Sequence, residues 1–465
     1  MATPPTWSLS IDERRAVGRD LRKVTPRSSH ADWTPAADRR DPIALLLEQN
    51  ASRQQDLVPV RHGRMSVSPF TFYRGAARVM AADLASTPDS GLRAQICGDA
   101  HLSNFGVFTT PERAQVFDVN DFDETLPGPW EWDLKRLVAS FAIAGRNNGF
   151  DDATRQIIDR RVTQAYREAM ADFAQTSTLE TWYARLTSEQ ILAITSKKGT
   201  RMRVARSLDK ARTRDNLQAL GKLTETVDGQ IKIVSAPPIV VGIESLAEAE
   251  GLSHEEVERI ARTSFQAYRN NIPADRRLLL DRFHMVDLAR KVVGVGSVGT
   301  FCLIALFLGS DSDDPLFLQI KEANASVLEE FLPKSRYRNH GQRVVEGQRL
   351  IQAASDIFLG WSRGTGEAKR HFYWRQLRDG KGSPDVEGMD PAIMTGYARL
   401  CGWTLARAHA RSGDALAISS YVGTGDVLDR SLADFSERYA DQNQRDYDAF
   451  QQAIRDGRVE AVHGV

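Results

Sequence analysis

The uncharged stretch Val292 to Gly309 decides more about the fold than any other segment of the chain. Its eighteen residues approach the lower limit for a membrane-spanning helix. Gly294, Gly296 and Gly299 fall in its first half, however, and each costs roughly 1 kcal/mol of helix propensity. A loop and then a strand are therefore expected. The apolar run Phe301 to Leu308 supplies the strand, and Gly309-Ser310-Asp311-Ser312-Asp313-Asp314-Pro315 is a strong turn signal. A second apolar strand, Leu316 to Ile320, then ends on Lys321. The spacing G-x-G-x-x-G at 294–299 is a weak phosphate-binding signal by itself, and the type of the next element separates its two meanings. A dinucleotide site needs a helix there, whereas a nucleotide flap needs a hairpin and a third strand carrying a lysine.

A second constellation lies about two hundred residues earlier. In Cys97-Gly98-Asp99-Ala100-His101-Leu102-Ser103-Asn104, an Asp precedes an Asn by five positions on a short loop, with Gly98 allowing close backbone passage. Seventeen positions after Asn104 stands Asp121, in Val116-Phe117-Asp118-Val119-Asn120-Asp121-Phe122-Asp123-Glu124, an apolar strand ending in carboxylates. Phosphoryl transfer needs this inventory: a carboxylate beside the acceptor hydroxyl and oxygen ligands holding Mg²⁺ against the phosphates. Asp133 is expected to cap a helix whose Leu134, Leu137, Val138 and Phe141 share one face. Asp118 competes with Asp121 as the metal ligand, because both come after the apolar strand.

Composition narrows the setting. The 61 basic and 61 acidic residues cancel, which removes any global attraction for nucleic acid or an anionic membrane. Three scattered cysteines suit a reducing cytoplasm, and the start of the chain lacks an apolar secretory core. Residues 1–55 read as an N-terminal extension, 56–220 as a helical region bearing the Asp99 loop, 221–385 as a sheet-containing region with the glycine loop, and 386–465 as helices packing on the helical region. Eight Lys or Arg between Lys197 and Asp215 form a basic helix face.

Gly98 to Asn104 resembles the catalytic loop of aminoglycoside and choline phosphotransferases, and Asp121-Phe122-Asp123 resembles their metal-binding strand end. That resemblance implies an α+β, protein-kinase-like two-lobe fold with a mainly helical larger lobe. It makes Asp99 the catalytic base, Asn104 and Asp121 the Mg²⁺ ligands and Asp133 a brace. ATP would sit under Gly294, Gly296 and Gly299, held by Lys321 paired with Glu329 or Glu346. The family's loop opens His-Gly-Asp, whereas Cys97 stands first here. Ordinary kinases also place the glycine loop and lysine before the catalytic Asp, so either the lobes are circularly permuted or one match is fortuitous. Arg61-His62-Gly63-Arg64-Met65, Ser68-Pro69-Phe70, Arg74-Gly75, Gly347-Gln348-Arg349 and His409-Ala410-Arg411-Ser412-Gly413-Asp414 further resemble an uncharacterised bacterial family, domain of unknown function 2252, grouped with the kinase-like fold. The expectation is a cytoplasmic ATP- and Mg²⁺-dependent phosphotransferase acting on a small-molecule or other hydroxyl acceptor. A nucleotide-binding pseudokinase and an NAD(P)-binding oxidoreductase are the rivals. Arg61, Arg64 and Arg74 are candidates to hold a phosphate or an acidic acceptor.

Overall fold

The computed structural model describes residues 8–195, 198–214, 216–249, 253–292, 294–364, 369–377 and 380–464. Val293, Lys197 and Asp215 from the motifs above lie outside these. The architecture is mixed α+β. The strands are β1 Arg93–Ile96, β2 Phe105–Thr109, β3 Gln115–Val119, β4 Leu126–Pro129, β5 Leu186–Thr187, β6 Thr224–Val227, β7 Gln230–Ile233, β8 Val240–Gly242, β9 His284–Lys291, β10 Cys302–Leu308, β11 Pro315–Glu322, β12 Gly360–Arg363 and β13 His371–Gln376.

Six of them form one antiparallel sheet in the order β12-β13-β11-β10-β9-β8. The uncharged run thus resolves into a loop and the central strand β10, every residue of which is buried. Alternation explains why both faces are covered. Leu303, Ala305 and Phe307 enter one apolar cluster and Ile304, Leu306 and Leu308 another, as a strand with side chains on opposite faces requires. The same period aligns polar groups toward the sheet's end: Lys321 pairs across from Tyr373, and Gln319 across from Arg375. These four therefore share one face. A slip of one residue would turn all of them into the opposite, apolar side. After Gly299 comes strand β10, not the helix a dinucleotide site needs.

The larger core surrounds the helix Trp130–Asn147, buried from Trp130 to Gly145. This helix begins one turn earlier than its apolar pattern suggested, after Pro129, so Asp133 lies in its first turn instead of capping it. Leu134, Leu137, Val138 and Phe141 do share a buried stripe. The helices Asp152–Phe173, Pro391–Ala410 and Val427–Arg455 complete the core. No described helix is long and apolar enough to cross a membrane.

The N-terminal segment is built into this body. Trp33 is buried against Phe435 and Tyr439, and Arg39 bridges Asp83 and Asp446. Residues 50–64 reach the glycine loop: Arg53 donates to the carbonyl of Val298 at 2.6 Å, the Gln54 amide to the carbonyl of Gly299 at 2.8 Å and Arg64 to that of Gly294 at 2.6 Å. Val292 and Val298 pack on Leu57 and Val60, while Val295 joins a cluster with Ile43 and Phe450.

Candidate functional site: a carboxylate-lined cavity between the sheet and the Asp99 loop

The Asp99 loop is templated by a single stripe of the helix Trp130–Asn147. Positions 133, 136 and 140 lie one above another on such a helix. Asp133 accepts the amides of Cys97 and Gly98 at 2.7 and 2.9 Å, and the Ser140 hydroxyl accepts the amide of Leu102 at 2.9 Å. Arg136 donates to Oδ1 of Asp99 at 2.6 Å. Gly98 is required where it stands, because its φ is +82° and a Cβ there would meet the carbonyl of Glu124 at 2.5 Å.

With Arg136 on Oδ1, the other Asp99 oxygen faces His101, whose Nε2 lies 3.9 Å away. Burial pushes the Asp99 carboxyl up, opposed by Arg136 and by Arg74. Asn104 donates its amide N–H to the backbone carbonyl of Asp99 at 2.8 Å, which leaves its Oδ1 as the acceptor end. The amide of Asn120 in turn binds the carbonyl of Asn104, tying the loop to the end of β3.

The two acids that compete at the end of β3 are separated decisively. Asp118 is 1% exposed, ion-paired to Arg407 and bonded to the amide of Ala353. It braces the core. Asp121 and Asp123 instead line a cavity of about 200 Å³ with Asp99, Glu124, Gly296 and Ser297. Burial together with the neighbouring Asp123 holds the Asp121 carboxyl above its ordinary range. Burial acts on Asp123 too, but Lys321 and hydrogen bonds from Lys321 and Tyr373 outweigh it and keep that group ionised.

Lys321 reaches the cavity carboxylate Asp123 from the sheet without lining the cavity itself. Its ammonium, 3% exposed, lies 2.6 Å from Oδ2 of Asp123, and the Tyr373 hydroxyl donates to Oδ1 at 2.6 Å. The glycine loop reaches the same carboxylate through Ser297 at 3.4 Å. Among the described residues this is the only ion pair of Lys321. Neither expected partner is used: Glu346 pairs with Arg349, and Oε1 of Glu329 is buried without a hydrogen bond among the described residues. Asp123 and Tyr373 are thus the site residues to which the sequence patterns assigned no role. Tyr373 is placed there by the register of β13 against β11, which no local sequence pattern reveals.

Gly294, Gly296 and Gly299 form the loop between β9 and β10, with φ of +65° at Gly294 and +84° at Gly299. Among the described residues no group of three or more His, Cys, Asp or Glu is disposed to hold a metal. The residues in the cavity still suit Mg²⁺, which keeps its waters and takes only one or two carboxylates alongside substrate phosphates. Asp121 is a cavity carboxylate that makes no ion pair among the described residues. Asn104 does not line the cavity itself.

No curated protein and no solved structure matches the chain. One family does, over residues 53–453, which takes in both constellations and the helices between and after them. The chain belongs to that family, the uncharacterized proteins conserved in bacteria grouped as DUF2252.

Proposed function

We propose that this protein is a circularly permuted, kinase-like phosphotransferase that moves the γ-phosphoryl group of MgATP to a hydroxyl acceptor. The observation that carries it is the ion pair of Lys321 with Asp123, a carboxylate that lines one cavity with Asp99, Asp121 and the glycine loop. That residues some two hundred positions apart, in an order opposite to that of ordinary kinases, come into contact supports this reading. The sheet agrees with such a lobe, since β9 and β10 flank the glycine loop, β11 carries the lysine and the helix His340–Ile351 runs between β11 and β12. The join of a permuted chain is also consistent: Ser412, just past the helix Pro391–Ala410, accepts the amide of Gln95 on β1, the strand that leads into the Asp99 loop.

In this reading Asp99, through the oxygen that Arg136 leaves free, takes the proton of the acceptor hydroxyl. That hydroxyl oxygen attacks the γ-phosphorus as the bond to the β,γ-bridging oxygen breaks, and ADP leaves. Asp121 would hold Mg²⁺, which supplies charge neutralisation on the phosphates, while Asn104, outside the cavity lining, would steady the Asp99 carbonyl. Lys321 would exchange Asp123 for a phosphate oxygen.

Isothermal titration of MgATP tests this. Binding by the wild type, weakened about tenfold or more in Asp121→Ala and in Lys321→Met, is expected. No binding by the wild type, or unaltered binding in both variants, sinks the assignment. The Arg136 contact to Asp99 favours one second reading, a nucleotide-sensing module, which would bind MgATP and turn over no acceptor.

A further inference from the structure

Of the three arginines that the sequence brings near the Asp99 loop, the fold commits two to structure. Arg61 is wholly buried and donates to the Asn50 side chain and the carbonyl of Gly75. Arg64 supports the glycine loop. Arg74, in the last turn of the helix Pro69–Gly75, differs from both. It lines the cavity, and among the described residues its guanidinium makes no hydrogen bond and no ion pair, with Nε buried and unpartnered. A partly buried guanidinium without an acceptor is costly, and it is best satisfied by two oxygens of a carboxylate or phosphate.

Tyr73, the neighbour of Arg74 in that helix, gives its carbonyl to Arg136, the same guanidinium that binds Asp99, and both Arg74 and Asp99 line the cavity. Arg53, another cavity arginine, is instead committed to the glycine loop through the carbonyl of Val298. Arg53, Arg61 and Arg78 all find acceptors in the protein, which leaves Arg74 as the cavity guanidinium that none of the described residues satisfies. The Arg74 carbonyl also lies 3.5 Å from where a Cβ of Gly296 would be, so this arginine stands where the loop and Asp99 approach each other.

We propose that Arg74 binds an anionic substituent of the acceptor, so that the substrate is a hydroxy compound carrying a carboxylate or a phosphate ester, with its hydroxyl at Asp99. This rests on the phosphotransferase reading for the fate of the hydroxyl, whereas the anion site rests on the Arg74 geometry alone.

Titration of inorganic phosphate into the full chain, with and without saturating MgADP, separates the two. The wild type should bind phosphate equally well with MgADP present, Arg74→Gln should lose about tenfold or more in affinity, and Arg74→Lys should fall between them. Asp99→Asn, which removes the adjacent negative charge, should bind phosphate more tightly. Displacement of phosphate by MgADP would overturn the proposal, since Arg74 would then serve the nucleotide's own phosphates. Phosphate binding by Arg74→Gln equal to the wild type, or none by the wild type, overturns it as well. Failure of MgADP to bind, with phosphate binding that Arg74→Gln abolishes, would sink the phosphotransferase and leave the anion site standing. If the site holds, turnover with glycerol 3-phosphate or glycerate should exceed that with glycerol, and the two anionic acceptors distinguish phosphate from carboxylate preference.

Discussion

Two aspartates three residues apart show how much local placement decides. Asp118 faces a buried guanidinium and Asp121 a cavity, although both belong to the same short segment. Removing the carboxylate from a buried ion pair strands the partner's charge, so Asp118→Ala should lose about 3–5 kcal/mol in urea unfolding. Asp121→Ala should cost little stability, because it relieves the repulsion from Asp123, and under the proposed function its effect falls on MgATP affinity. Glu124 offers a pH test. Burial raises its carboxyl to about 7, against which Arg343 and the Val327 amide work. A pKa higher in the folded than in the unfolded state stabilises fully below about 4.5, and that contribution disappears as pH rises through about 7. Thermal unfolding of the wild type should therefore weaken from pH 5 to pH 8 more than that of Glu124→Gln, by up to roughly 3 kcal/mol.

At the scale of elements, legibility in the sequence depends on whether one face or both are buried. Strand β10 and the turn after it were legible because a continuous apolar run closed by Gly, Ser, Asp and Pro admits few alternatives. The helix Trp130–Asn147 was legible by its stripe, but its start was not, because Pro129 ends the preceding strand without a side-chain cap. The helix His340–Ile351 stops where Gln352 turns extended and its amide side chain binds the carbonyl of Val119. The pairing of Lys321 was unreadable for another reason: local spacing favoured glutamates nearby, while the actual partner is brought in from 198 positions away. The loop-templating stripe gives a prediction at this scale. Ser140→Ala leaves the amide of Leu102 buried without an acceptor, so about 1–3 kcal/mol of stability should be lost in denaturant titration.

Across the whole molecule the N-terminal segment is part of the core and part of the site. Trp33→Ala removes an aromatic side chain packed on Phe435 and Tyr439 and should cost about 3–5 kcal/mol, read by urea unfolding. The bonds from residues 50–64 to the glycine loop have a kinetic consequence. Gln54 gives its amide proton to the carbonyl of Gly299, so exchange of that proton with solvent reports on the separation of two stretches that lie far apart in the chain. Lifting the glycine loop away would break the bonds from Arg53, Gln54 and Arg64 together, so its opening should appear in the exchange of the Gln54 amide.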